Sequence, residues 1–86
     1  MVTKRVGRIP PSHRKSISKS LEDLSLLIKE AREKASLTQE QLAQKLDLGK
    51  TTLQSIERGR RFPSLPTLLY ICRVLKISIR FELKED

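Results

Sequence analysis

The segment 38–59, Thr-Gln-Glu-Gln-Leu-Ala-Gln-Lys-Leu-Asp-Leu-Gly-Lys-Thr-Thr-Leu-Gln-Ser-Ile-Glu-Arg-Gly, constrains this chain most. It reads as two short helices joined by a tight turn that carries Gly49. Thr38 is placed to cap the first helix, and Gln41, three residues on, is placed to close a capping box, with Leu37 and Leu42 as the hydrophobic staple. The second helix repeats the design, with Gly49 as a permissive cap, Leu48 and Leu53 as the staple, and Gly59 as a left-handed stop after Arg58. Two capped helices this short and this close together form a helix-turn-helix, whose usual ligand is duplex DNA. Gly49-Lys50-Thr51 also resembles the end of a phosphate-binding loop. The first glycine of that motif would fall on Gln44, inside a helix, so no flexible run of backbone amides is available to cradle phosphates.

At 86 residues the chain forms one domain and buries little apolar surface, so a further stabiliser is expected. The single Cys72 excludes an internal disulfide and gives no zinc-ligand spacing, which leaves oligomerisation; no metal or cofactor is expected. Cys72 itself reads as a small buried hydrophobe. No apolar run is long enough to span a membrane, and Pro10-Pro11-Ser12 stands where a signal peptide would have its apolar core. A reducing cytoplasm is the expected compartment. An enzyme is not expected, because the only histidine, His13, has no reactive neighbours in the sequence.

The net charge of +8 is uneven. Lys4, Arg5, Arg8, Arg14, Lys15 and Lys19 lie in the first 20 residues with no acid among them, whereas the rest of the chain is nearly balanced. Gly7 and the two prolines predict that 1–19 is a flexible basic arm. Lys4, Arg5, Arg8, Arg14 and Lys15 are its candidate contacts, either to DNA phosphates and the minor groove or to an acidic protein surface.

Residues 20–86 form the folded unit. Ser20 is placed to cap a first helix over about 21–35, with Leu21, Leu24, Ile28, Ala31 and Ala35 on one face. Beyond the helix-turn-helix, Ser64 caps a fourth helix with Pro66 in its first turn, and Leu65, Leu68, Leu69, Cys72 and Leu75 are its expected buried stripe. Phe62 is expected to plug the core between the helices. From about 76 to 84 the period changes to two, with Ile77, Ile79, Phe81 and Leu83 alternating with polar residues, which predicts a strand. A lone strand leaves its backbone groups unpaired, so the expected partner is the same strand of a second copy, in a two-fold dimer. The predicted fold is therefore mostly α, a small four-helix bundle with one C-terminal β-strand pairing across a dimer.

Leu-Thr-Gln-Glu-Gln-Leu-Ala-Gln-Lys-Leu (37–46), Thr-Leu-Gln-Ser-Ile-Glu-Arg-Gly (52–59) and Pro-Ser-Leu-Pro-Thr-Leu-Leu (63–69) resemble the XRE family of phage-repressor-like helix-turn-helix proteins. In that family a fifth helix commonly follows; here Lys-Ile-Ser-Ile-Arg-Phe-Glu-Leu (76–83) takes its place, which resembles the HipB-like branch. The resemblance implies a lambda-repressor-like fold and a homodimeric repressor of its own operon. It also implies the role of antitoxin to a HipA-like kinase toxin in a type II toxin-antitoxin system, in a bacterial cytoplasm and on the nucleoid when bound to operator DNA. By position it places a phosphate-anchoring role on Gln39, base contacts on Lys50, Thr51, Gln54 and Ser55, and a structural pair on Arg32 and Glu57. The side chains suit those roles: Lys50 can donate to guanine acceptors, Thr51 offers a hydroxyl or a methyl, and Gln54 can engage adenine through two bonds. Arg58, Arg60 and Arg61 follow the recognition helix with guanidinium forks suited to phosphate oxygens. Two other readings stand beside this one, a prophage or restriction-modification regulator without a toxin, and a protein-binding module whose DNA face is vestigial.

Overall fold

The computed structural model describes residues 9–85. Its helices are α1 (Pro11–Lys34), α2 (Gln39–Leu46), α3 (Lys50–Glu57) and α4 (Leu65–Leu75). The first helix begins about ten residues before the expected start at 21. The proline pair opens α1, although Gly7 and the prolines predict a flexible arm there. Pro11 occupies the first helical turn, where the missing N–H has no partner to lose and the ring presets φ. Arg14 and Lys15, assigned to a flexible arm, thus sit on α1, while Lys4, Arg5 and Arg8 lie outside the described residues. Residues 11–20 are exposed throughout, and the buried residues of α1, Ser25, Ile28 and Arg32, all lie in its second half.

Four side chains, one from each helix, form the centre: Ile28, Leu42, Leu53 and Ile71 are at most 1% exposed. Ala43, Leu46, Ile56 and Leu75 complete the cluster, and the staple leucines Leu37 and Leu48 pack against its edge. Each fully buried aliphatic side chain contributes about 1.5–3 kcal/mol relative to exposure. Around this centre α3 packs against α1 and α2, and α4 against the same two helices from another side. Cys72 is buried, and burial pushes its thiol pKa above the ordinary value.

Three expectations for the core change. Leu65 and Leu69 are exposed and Ile71 is buried in their place, so the buried face of α4 is rotated from the one read in the sequence. Phe62 is 44% exposed and does not plug the centre. Ala35, expected on the inner stripe of the first helix, is the exposed C-cap of α1. Both errors on α4 have one cause. Between Leu65 and Leu75 only Thr67 and Arg73 are conventionally polar, so apolar spacing alone cannot choose a face.

Residues 77–85 form no strand within the chain. A strand needs a ladder partner, and none of the described residues supplies one. Ile77 is half-buried against the core, Ile79 is 40% exposed, and Phe81 and Leu83 are 82% and 97% exposed.

Candidate nucleic-acid interface

The turn between α2 and α3 carries Gly49 as the N-cap of α3, the place the sequence gives it, and its left-handed residue is Asp47, which the sequence pattern does not single out. Asp47 has φ 56°, and Gly49 is extended (φ −70°, ψ 150°). Aspartate is among the few residues other than glycine that enter the left-handed region without large strain. The Leu48 N–H closes the turn by donating to the Ala43 carbonyl at 2.9 Å. At the start of α2 the capping box is complete: Thr38 Oγ1 accepts from the Gln41 N–H at 3.0 Å, and the Thr38 N–H donates to Gln41 Oε1 at 2.8 Å. After α3, Gly59 is left-handed (φ 74°), and the Arg60 N–H donates to the Ser55 carbonyl at 2.9 Å. Ser25 of α1 lies directly against Gly59, its Oγ 3.6 Å from where a Cβ would stand.

These local devices hold α2 and α3 so that their polar side chains join in one chain. Arg32 Nε donates to Glu57 Oε2 at 2.7 Å and its terminal nitrogen to Oε1 at 3.2 Å. The other terminal nitrogen donates to the Leu37 carbonyl at 2.7 Å, tying α1 to the start of α2. Gln39 Nε2 then donates to Glu57 Oε1 at 3.1 Å, and Gln54 Nε2 donates to Gln39 Oε1 at 3.2 Å. The ends differ in exposure. Glu57 and Arg32 are buried, Gln39 and Gln54 are half-buried, and Lys50 and Thr51 beside them at the start of α3 are exposed. The hydrogen bond to Glu57 raises the Arg32 pKa, and the attraction of Glu57 and Glu33 adds to it against the opposing effect of burial.

The pair implied for Arg32 and Glu57 is therefore present, and it is the root of the arrangement. Gln39 and Gln54, assigned separate roles, are bonded to each other, which sequence reasoning missed because no local pattern links residues 15 apart. Ser55 is half-buried and also accepts the backbone bonds that close α3, leaving its hydroxyl on the same helix as Gln54. Arg58, Arg60 and Arg61 are exposed where the chain leaves α3, and Arg61 reaches back to Thr52 Oγ1 at the long distance of 3.5 Å. Arg14 and Lys15 are far from this group. Arg14 lies eighteen positions before Arg32, about 27 Å along α1 at the usual rise. Among the described residues no cluster of His, Cys, Asp and Glu could hold a metal ion, and no helix is long and apolar enough to cross a membrane.

Comparison with known proteins agrees with this geometry, since the helix-turn-helix family pattern matches residues 28–81. The chain belongs to the helix-turn-helix family. The match starts at Ile28, inside α1, and so leaves out the exposed half of that helix. A curated relative, the HTH-type transcriptional regulator ImmR of Bacillus subtilis (strain 168), is 39% identical over 59 residues, covering 69% of this chain and 46% of its own. The chain thus spans about half the length of that relative.

Proposed function

We propose that the protein is a sequence-specific, DNA-binding transcriptional repressor. The observation that carries this reading is the exposed start of α3, where Lys50 and Thr51 stand free beside a Gln54 held by Gln39. A helix placed this way offers its first side chains to base edges in the major groove, and the backbone N–H groups at its start favour phosphate oxygens nearby. Exposed Arg58, Arg60 and Arg61 add positive charge where the chain leaves that helix. The likeness to a protein named as a transcriptional regulator supports the same assignment. Binding and regulation, not catalysis, is the activity we assign.

The repressor acts as a homodimer in this reading. Ile79, Phe81 and Leu83 present an apolar edge with unpaired backbone, and a second copy of 77–83 satisfies both needs in one two-stranded ribbon. Such a dimer also presents two recognition helices to half-sites about 34 Å apart. Ile79→Lys or Phe81→Lys places a charge in that seam, and sedimentation is expected to show monomers; a fully dimeric variant would assign the interface to the helices. The finer role, an autoregulating antitoxin of a HipA-like kinase toxin, follows from the resemblance of 76–83 to that branch. A kinase-like reading frame beside the gene, and capture of its product by this protein, test it. A regulator without a toxin is the second reading, favoured by the name of the curated relative.

The deciding experiment is a fluorescence-anisotropy titration against the DNA upstream of the gene and a scrambled duplex at two salt concentrations. A large preference for the upstream DNA is expected. Equal and steeply salt-dependent binding to both would show charge acting alone and would overturn sequence-specific repression.

A further inference from the structure

We propose that the buried Glu57 carboxylate, acting through Gln39, fixes which way round the Gln54 carboxamide faces and so decides which base Gln54 accepts. The proposal rests on the DNA-binding reading above and adds to it two positioning residues, Gln39 and Glu57, and a rule for the specificity of one base pair.

The chemistry runs outward from the interior. An ionised carboxylate has no proton to donate, and both oxygens of Glu57 already accept from Arg32. The Gln39 atom that faces Glu57 Oε1 at 3.1 Å must therefore be its NH2 nitrogen. A rotated Gln39 would set a carbonyl oxygen against a carboxylate oxygen and lose the bond. With the nitrogen committed inward, Gln39 Oε1 faces Gln54 and can only accept, so the Gln54 atom opposite it at 3.2 Å must also be NH2. A carboxamide is nearly symmetric in shape, and on its own either rotamer would serve. Here an acceptor-only group at the root imposes one orientation on two amides in succession.

Gln54 is left with one N–H and its carbonyl oxygen for the solvent side. One donor beside one acceptor complements adenine, which offers the N6 amino group and N7, whereas guanine offers two acceptors, O6 and N7. The hydrogen bond to Gln39 thus does more than steady the side chain. It removes the second donor that guanine would need.

The test inverts the relay. In Gln39→Lys the ammonium donates to Glu57 and also to the Gln54 carbonyl, so the carboxamide turns round and presents both N–H groups outward. In Gln39→Met neither partner is bonded and Gln54 is free to rotate. Gln39 is half-buried at the first position of α2 and outside the Thr38–Gln41 box, so both substitutions leave the cap in place. The full chain is first used to select its preferred duplex from a randomised pool. Affinities for every single-base-pair variant of that duplex are then measured for the wild type, Gln54→Ala, Gln39→Met and Gln39→Lys, with circular dichroism as the check on folding. Gln54→Ala is expected to flatten discrimination at one position in each half-site, where the wild type prefers adenine on the order of tenfold or more. Gln39→Met is expected to flatten the same position and no other, and Gln39→Lys to move its preference from adenine to guanine. Glu57→Gln, which gives Gln39 a partner able to donate, is expected to relax that position in the folded protein.

A selective wild type whose Gln39 variants shift affinity equally for all duplexes, keeping the adenine preference, would overturn the relay and leave Gln39 with a phosphate contact alone. A Gln54→Ala variant with an unaltered profile would overturn it too. A wild type that selects no sequence at all would instead bring down the DNA-binding reading itself.

Discussion

Leu53 and Leu83 are the same residue type at 0% and 97% exposure, and the contrast extends to the regions around them. Around Leu53, the short helices α2 and α3 are tied in on several sides: the capping box of α2 is filled, apolar faces meet α1 and α4, and Arg32, Glu57, Gln39 and Gln54 are joined by hydrogen bonds. Around Leu83, and along the first half of α1, apolar and basic side chains stand in solvent without a packed face beneath them. A small domain can thus be complete at its centre and unfinished at its flanks. The centre meets the demands of folding, and the flanks are where a second copy or a ligand adds area in the reading proposed above.

The sharpest way to break this contrast is to unpair the centre. Glu57→Ala leaves the Arg32 charge buried without its carboxylate, and stability is expected to fall by about 3–5 kcal/mol. In a domain this small that is enough to leave much of the chain unfolded, as urea denaturation followed by circular dichroism would show. Next, the two leucines are set against each other. Leu53→Ala removes a fully buried side chain and is expected to cost about 2–5 kcal/mol, while Leu83→Ala, measured at a concentration where the protein is monomeric, is expected to change stability by less than about 0.5 kcal/mol. Comparable losses at both sites would mean the flank is part of the folded core.

Smaller effects separate the two glycines. Gly59→Ala forces a side chain into the left-handed region, with an expected loss of about 1–2 kcal/mol in the same assay. Gly49 is extended, and a Cβ there would meet only Thr52 Oγ1 at 3.9 Å. Gly49→Ser is therefore expected to add the cap that α3 lacks and raise the midpoint by a stabilisation of a few tenths of a kcal/mol. A loss at Gly49 as large as at Gly59 would show that the turn depends on glycine at both places.

Much of the centre was legible because its signals are local. Thr38 with Gln41, Leu37 with Leu42, Leu48 with Leu53, and Gly59 each act over a few residues, and each appears in the structure in the expected place. The left-handed residue of the central turn was less legible, since Asp47 enters that conformation less readily than glycine and gives no local signal for it, although the Leu48 bond to Ala43 closes the turn around it. The proline pair was ambiguous for a related reason, because proline ends one helix and begins another with the same geometry.

By itself the sequence determined the helix-turn-helix, its caps and stop, and the change to alternating pattern after α4, since these depend on backbone and side chains that are neighbours along the chain. Tertiary structure alone decided which face of the nearly all-apolar α4 is buried, and that Phe62 stays outside the core. It also decided that Gln54 meets Gln39, and Gln39 meets Glu57. Those choices compare surfaces brought together from distant parts of the chain, and the orientation of an amide is set by the partner that packing places opposite it.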